Sequence, residues 1–96
     1  MTTLDAPLTG QVAVVTGSSS GLGRAIALAM ATAGADVVVH ARLNRSGVEE
    51  TAQQIRDCGR QCLVLMADLS DEATHESLID NAWAWQNGVH IWVNNA

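Results

Sequence analysis

The residues best suited to chemistry lie in a glycine- and serine-rich segment near the start of the chain. Thr16 to Gly23, called here the glycine-rich loop, reads TGSSSGLG and spaces its three glycines as G-x-x-x-G-x-G. Glycine permits a positive φ and close backbone approach to a ligand, and the free amides of a following helix attract anions. The pattern predicts a phosphate or pyrophosphate site, with a plain tight turn as the alternative. A P-loop is excluded because the chain has no lysine.

Four short apolar runs predict the strands that position this loop. They cover residues 12–15, 37–39, 62–67 and 89–93, the last with His90 inside it. Runs that are apolar on both faces are typical of a parallel sheet covered by helices. Three segments with helical spacing alternate with the runs, which gives the order β-α-β-α-β-α-β with right-handed crossovers. The predicted fold class is α/β, a Rossmann-type doubly wound parallel sheet.

Each predicted helix has an apolar face, and two have a recognisable start. Ser46 and Glu49 form a capping box for the second helix, and Ser70 is placed to cap the third. The apolar residues recur at the helical period. They are Leu22, Ile26 and Met30 in the first helix, Val48, Ala52 and Ile55 in the second, and Leu78, Ile79 and Ala82 in the third.

Composition limits the partners of the chain. Its 96 residues suffice for one domain, and its net charge is −5. All five basic residues are arginines scattered along the chain, so no basic patch for nucleic acid is expected. No apolar run approaches the ~20 residues of a membrane span, so no membrane partner is expected either.

The N-terminus and the cysteines favour an ordinary cytoplasmic protein. Residues 1–7 lack the charge and apolar order of a secretory signal, so we expect a cytoplasmic location. Cys58 and Cys62 have no second pair to complete a zinc site and are interpreted as packing residues. Trp83 and Trp85 are two apart on a helix, so at least one ring should be partly exposed.

Three segments resemble the short-chain dehydrogenase/reductase family. Thr16 to Gly23 is similar to its T-G-x-x-x-G-x-G motif, residues 67–71 (ADLSD) match a middle motif, and residues 94–96 (NNA) resemble N-N-A-G cut before its glycine. The resemblance implies that residues 1–96 are the N-terminal part of a single NAD(P)-binding domain, truncated within that last motif. It also implies the strand order 3-2-1-4, and the chain resembles members of the family that are similar to 3-oxoacyl-carrier-protein reductases.

The resemblance further implies which residues bind the dinucleotide. Asp68 would accept a hydrogen bond from the adenine amino group, Leu69 would flank the ring, and Asn95 would lie against the adenosine ribose. A turn or cap role for Asp68 before Ser70 is the alternative. Leu22 is expected near the nicotinamide. The full predicted cofactor-binding set is Gly17, Ser18, Ser19, Ser20, Gly21, Leu22, Gly23, Arg42, Asp68, Leu69 and Asn95.

The end of the second strand bears on the choice of cofactor. An NAD site carries a carboxylate roughly 20 residues after the glycines, whereas an arginine there accommodates the 2′-phosphate of NADP. Here the positions hold Ala41 and Arg42, which favours NADP(H). Arg45 is a second candidate, and a solvated loop role for Arg42 is the alternative. Many NADP-dependent members carry a basic residue where this chain has Ser20, so NAD(H) stays open.

The activity implied is hydride transfer between a nicotinamide and a small carbonyl or alcohol substrate. The family uses a tyrosine, a lysine, a serine and an asparagine for this step, and the chain contains neither tyrosine nor lysine. No catalytic residue or metal ligand is assigned, and residues 1–96 alone are expected to be inactive. The parent protein is expected to be a homo-oligomer. A sugar or polyol dehydrogenase, or a non-catalytic dinucleotide- or partner-binding module, are the alternatives.

Overall fold

Valine-rich strands build the centre of the fold, which is described for residues 6–96 in a computed structural model. Four parallel strands pair in the order β3-β2-β1-β4. The elements are β1 (Val12–Val15), α1 (Gly21–Thr32), β2 (Asp36–Ala41), α2 (Arg45–Asp57), β3 (Cys62–Met66), α3 (Glu72–Ala84) and β4 (Ile91–Val93). The α/β class, the alternation of elements and the order 3-2-1-4 predicted above are confirmed.

Helices cover both faces of the sheet. Alternate residues of β1 and β2, with Val15 and Val39 among them, pack against α1 and α2 and are fully buried. The intervening residues, such as Val14 and Val38, face α3 and pack with Ala82. Because each central strand is covered on both sides, β1 is apolar throughout its length. No helix in the described part of the chain is long and apolar enough to cross a membrane.

The buried face of α1 differs from the prediction. Leu22 is 70% exposed, and Ile26 and Met30 are only half-buried at the border of the core. The residues that contact the sheet are Gly23, Ala27 and Ala31. Small side chains let a helix backbone lie close to the strands beneath it, so the larger apolar residues are displaced to the flanks of the helix. The predicted inner faces of α2 and α3 are buried, apart from Ile79, which is half-buried.

Both predicted helix caps are wrong by one or two residues. The side chain of Asn44 accepts a hydrogen bond from the Gly47 amide and caps α2, whereas Ser46 donates to Asn44. Asp71 caps α3 by accepting from the amides of Ala73 and Thr74. Asparagine and aspartate cap as well as serine does, so residue type alone did not discriminate between neighbouring candidates.

The fourth strand is shorter than predicted because His90 lies outside it. The backbone amide of His90 donates to the Val12 carbonyl at 2.9 Å, and its Nδ1 accepts from the Val12 amide at 3.0 Å. The side chain therefore satisfies a backbone amide at the amino end of β1. Trp83 is 54% exposed, as expected for one of the two neighbouring tryptophans.

The two cysteines differ in environment, which leads to a testable prediction. Cys58 is exposed after α2, whereas Cys62 is buried in β3, where burial raises the pKa of its thiol to about 12. The thiolate is the nucleophile, and with such a pKa only about one thiol in ten thousand ionises at pH 8. We expect iodoacetamide to modify Cys58 and spare Cys62, as measured by peptide mass spectrometry. In guanidinium both should react, and rapid native modification of Cys62 would contradict its buried position.

Candidate functional site

The three glycines of the glycine-rich loop differ in their steric surroundings. Gly17, the second residue after β1, has φ +60°, and a Cβ there would lie 2.9 Å from the Cα of Ala96. Gly21 has φ +57° and open space around its missing Cβ. A Cβ on Gly23 would overlap the Gly17 carbonyl oxygen and lie 2.6 Å from Nδ2 of Asn95. A side chain at Gly17 or Gly23 would therefore collide with the protein, whereas the space around Gly21 is open.

The amino end of α1 is left available to an anion. Ser20 is the N-cap residue, but its side chain makes no capping hydrogen bond, and the first turn of α1 contains no acidic residue. The other two helices in the described range 6–96 both have side-chain caps. The first amides of a helix have no partner within the helix and carry a partial positive charge. An uncapped helix end behind an open glycine fits the diphosphate of a dinucleotide.

The last residues of the chain pack against this loop. The Thr16 hydroxyl accepts from the amides of Asn95 and Ala96 at 3.0 and 3.2 Å. Nδ2 of Asn95 donates to the Gly17 carbonyl at 3.0 Å. Asn95 therefore lies beside the glycine-rich loop although 77 residues separate it from Ser18 in the sequence.

Arg42 and Asp68 meet at the ends of β2 and β3. Nε of Arg42 lies 3.6 Å from Oδ2 of Asp68, and both side chains are largely accessible to solvent. The Ser70 hydroxyl, which donates to Asp68 at 2.7 Å, is the main cause of the lowered pKa of the Asp68 carboxyl. The Ser70 amide and Arg42 lower that pKa further. Asp68 is therefore an ionised acceptor that also shapes the turn before α3.

The remaining predicted residues lie at the same edge of the sheet. Since β1 to β4 are parallel, the loops after their carboxyl ends share one edge, where ligands bind in open α/β sheets. Ser19 is half-buried, and Leu69 helps to line an open cavity of about 540 Å³ beside α3 and β4. Ser18 is different: it is fully buried, and its hydroxyl donates to the Val15 carbonyl at 2.9 Å.

Arg24 and His40, to which the sequence analysis assigned no role, contact the loop directly. Arg24 on α1 donates to the carbonyls of Ser19 at 2.7 Å and Gly47 at 3.0 Å, which ties the loop to α2. His40, at 1% exposure, hydrogen bonds to the Gly17 amide from β2. A histidine inside an apolar strand run is a weak signal of such a contact. The described residues contain no group of three side chains suited to a metal ion.

Comparison with known proteins identifies the family. The family model described as short chain dehydrogenase matches residues 11–96. The chain therefore belongs to the short-chain dehydrogenase family, as the resemblance in the loop and at the chain end indicated.

Several characterised relatives are similar over nearly the whole chain. It is 40% identical to 3beta-hydroxysteroid dehydrogenase 1 of Eggerthella lenta over 89 residues, which is 93% of this chain and 34% of that protein. A solved hydroxysteroid dehydrogenase from Escherichia coli superposes with a TM-score of 0.88 at 34% identity, covering 99% of this chain and 40% of that one. The landomycin C-6 ketoreductase LanV, solved with bound NADP and rabelomycin, gives a TM-score of 0.87 at 33% identity, covering 95% and 40% of the two chains. The chain spans about a third of the length of its curated relatives.

Proposed function

We propose that this chain is the dinucleotide-binding portion of an oxidoreductase, and that it binds NADP(H) in preference to NAD(H). The observation that carries the proposal is the uncapped amino end of α1 behind the glycine-rich loop. In that loop Gly23 leaves no room for a side chain, while Gly21 faces open space. A diphosphate would accept hydrogen bonds from the free helix amides, and no side-chain carboxylate of the first turn of α1 competes with it.

The residues with proposed roles lie along the edge of the sheet where the carboxyl ends of the parallel strands meet. Gly17, Ser19, Ser20, Gly21 and Gly23 would surround the diphosphate, with Leu22 toward the nicotinamide. At the other end, Asp68 and Leu69 would contact the adenine, and Asn95 would lie against its ribose. Ser18 would support the loop from inside, because its hydroxyl already bonds within the protein.

The preference for NADP(H) rests on Arg42. The last residue of β2 is Ala41, and not the carboxylate that would bind a free 2′-hydroxyl and repel a 2′-phosphate. The Arg42 side chain is 65% exposed and its ion pair with Asp68 is long, at 3.6 Å. Exposed pairs of this kind contribute little, so a phosphate could replace Asp68 as its partner. Arg45, the second candidate, already pairs with Glu49 at 3.0 Å.

The reaction we propose for the complete protein is hydride transfer between the nicotinamide and a small carbonyl or alcohol. A bound nicotinamide would donate the hydride to a carbonyl or accept it from an alcohol, and this chain's residues would bind and orient it. The tyrosine and lysine of the family mechanism are not among these 96 residues, so we expect them elsewhere in the protein and expect residues 1–96 alone to be inactive. Hydroxysteroids, and a ketone like that of the landomycin C-6 ketoreductase, are substrates suggested by the names of relatives, beside the 3-oxoacyl and sugar or polyol substrates predicted above. Cytoplasmic location and homo-oligomeric assembly stay predictions.

A non-catalytic dinucleotide-binding module is the second candidate. It applies if the complete protein lacks the tyrosine and lysine of the family mechanism, neither of which is among these 96 residues. Turnover distinguishes the two: the enzyme consumes NADPH in the presence of a carbonyl substrate, whereas the module binds NADPH without consuming it.

Replacing Arg42 with aspartate should reverse the cofactor preference of the complete protein. The variant removes a charge that would bind the 2′-phosphate and adds a carboxylate suited to a free ribose 2′-hydroxyl. We expect the ratio of kcat/KM for NADPH over NADH to fall by at least about tenfold, which is roughly 1.4 kcal/mol. Steady-state kinetics with both cofactors measures the ratio.

Arg45→Asp is the matched control, because it places the same charge change three residues away. It should alter the ratio less than Arg42→Asp does. An unchanged ratio in Arg42→Asp with a reversed ratio in Arg45→Asp would assign the 2′-phosphate to Arg45. Unchanged ratios in both variants would contradict the proposed preference.

A further inference from the structure

His40 occupies an unusual place for a polar ring. It is the fifth residue of β2, among valines, and only 1% of its surface is exposed. Its Nδ1 lies 3.0 Å from the Gly17 amide nitrogen in the glycine-rich loop. Its Nε2 lies 2.9 Å from the Ala67 carbonyl oxygen, directly after β3. One side chain therefore connects the carboxyl ends of three neighbouring strands.

The two hydrogen-bond partners of the His40 ring determine which of its nitrogens carries a proton. A backbone amide can only donate, so Nδ1 accepts from Gly17 and carries no proton. A carbonyl can only accept, so Nε2 carries the proton and donates to Ala67. His40 is therefore neutral, with one nitrogen in each role, and no other state of the ring satisfies both partners.

The bonds from His40 reach the two halves of the proposed site. Gly17 is the first glycine of the loop that would surround the diphosphate, and Ala67 directly precedes Asp68 and Leu69, which would contact the adenine. The backbone of His40 adds to this link, since its carbonyl accepts from the Ser18 amide at 2.8 Å and its amide donates to the Ser18 hydroxyl at 2.9 Å. The ring itself is buried and would touch no ligand.

We propose that His40 is a positioning residue for the dinucleotide site, which holds the backbone of Gly17 in place beneath the diphosphate and sets the glycine-rich loop against the adenine loop after β3. The proposal rests on the proposed function, because it assumes that the site binds a dinucleotide. Losing the acceptor at Nδ1 leaves the Gly17 amide without its partner and frees the loop. Losing the donor at Nε2 affects the adenine loop instead.

Two substitutions separate the two bonds in the complete protein. In His40→Asn, the side-chain oxygen takes the place of Nδ1 and accepts from Gly17, but nothing reaches Ala67. In His40→Gln, the longer amide reaches Ala67 and leaves Gly17 unpaired. His90→Gln is a matched control, because His90 Nδ1 also accepts from a β1 amide at 3.0 Å, at the opposite end of that strand.

Binding is measured calorimetrically with NADPH and with adenosine 2′-monophosphate, which lacks the diphosphate. We expect His40→Gln to raise the Kd for NADPH roughly tenfold, in line with loss of one buried hydrogen bond, and to leave the Kd for adenosine 2′-monophosphate within about twofold. His40→Asn keeps an acceptor for the Gly17 amide, so its Kd for NADPH should stay within about threefold of the wild-type value. His90→Gln should lower the Tm without changing either Kd.

Equal losses of both ligands in His40→Gln would overturn the proposal, since they indicate a purely structural role. If His40→Gln does not fold, His40→Asn decides alone, and a loss of NADPH affinity beyond about tenfold there overturns the proposal. If the wild-type protein binds NADPH and the His40 variants bind it with the same Kd, the role of His40 is refuted but the proposed function is not. A wild-type protein that binds neither NADPH nor NADH refutes the proposed function, and the role of His40 with it.

Discussion

Replacing Gly23 with alanine should abolish dinucleotide binding. On helix propensity alone the change would stabilise α1 by roughly 1 kcal/mol. The new Cβ would instead overlap the Gly17 carbonyl oxygen and press on Nδ2 of Asn95, which donates to that same oxygen. Overpacking of this kind costs about 1 to 3 kcal/mol and moves the backbone of the loop. We expect the Kd for NADPH to rise at least about a hundredfold in calorimetric titration of the complete protein.

Gly59→Ala is the control for the change from glycine to alanine. Gly59 has φ +84° and open space around its missing Cβ, so alanine there strains the backbone without contacting the site. It should lower the Tm slightly and leave the Kd unchanged. Normal NADPH binding by a folded Gly23→Ala variant would show that the loop is not the phosphate site.

Residues 1–96 expressed alone should associate. β4 lies at one edge of the sheet, and its three residues are only half-buried. An exposed edge strand presents unpaired amides and carbonyls to other chains. Backbone groups that are cut off from water without a partner cost on the order of 1 to 3 kcal/mol each, against the ~5 to 15 kcal/mol that stabilises a whole domain. We expect oligomers in size-exclusion chromatography and a low, broad thermal transition.

A charge on the edge tests where the association occurs. Ile91→Lys on β4 and Val64→Lys on β3 alter half-buried residues of the two edge strands, on the same face of the sheet. Ile91→Lys should shift the population toward the monomer more than Val64→Lys does. A wild-type monomer that melts cooperatively and binds NADPH tightly would contradict this prediction and favour the self-sufficient binding module.

The fold was predictable because its signals are local and repeated. Apolar runs such as the one at Val12–Val15 alternate with segments of helical period, and this alternation leaves few arrangements open. The caps were missed because Asn44 competes with Ser46, and Asp71 with Ser70, and only the backbone conformation decides between them. The buried face of α1 was missed because Ala27 and Ala31 pack closest, although larger apolar residues lie beside them.

Only part of the candidate site could be predicted from the sequence. The glycine-rich loop and Arg42 stand out by type and spacing, Asp68 was indicated only by the family resemblance, and the structure brings Asn95 to the loop. Arg24 bonds to Gly47 and His40 bonds to Gly17 across 23 positions of sequence, and the only local sign of either contact is a histidine inside an apolar run. Ser18 resembles its serine neighbours in sequence, yet its side chain turns into the protein.

Direct titration of the complete wild-type protein with NADPH and NADH tests the central claim, that the glycine-rich loop and the strand ends beside it form a dinucleotide site. The expected result is saturable one-to-one binding of both, tighter for NADPH, with protection of the amides of residues 19–23 in hydrogen exchange when NADPH is present. Absence of binding, or binding that leaves these amides exchanging as in the free protein, would contradict the claim.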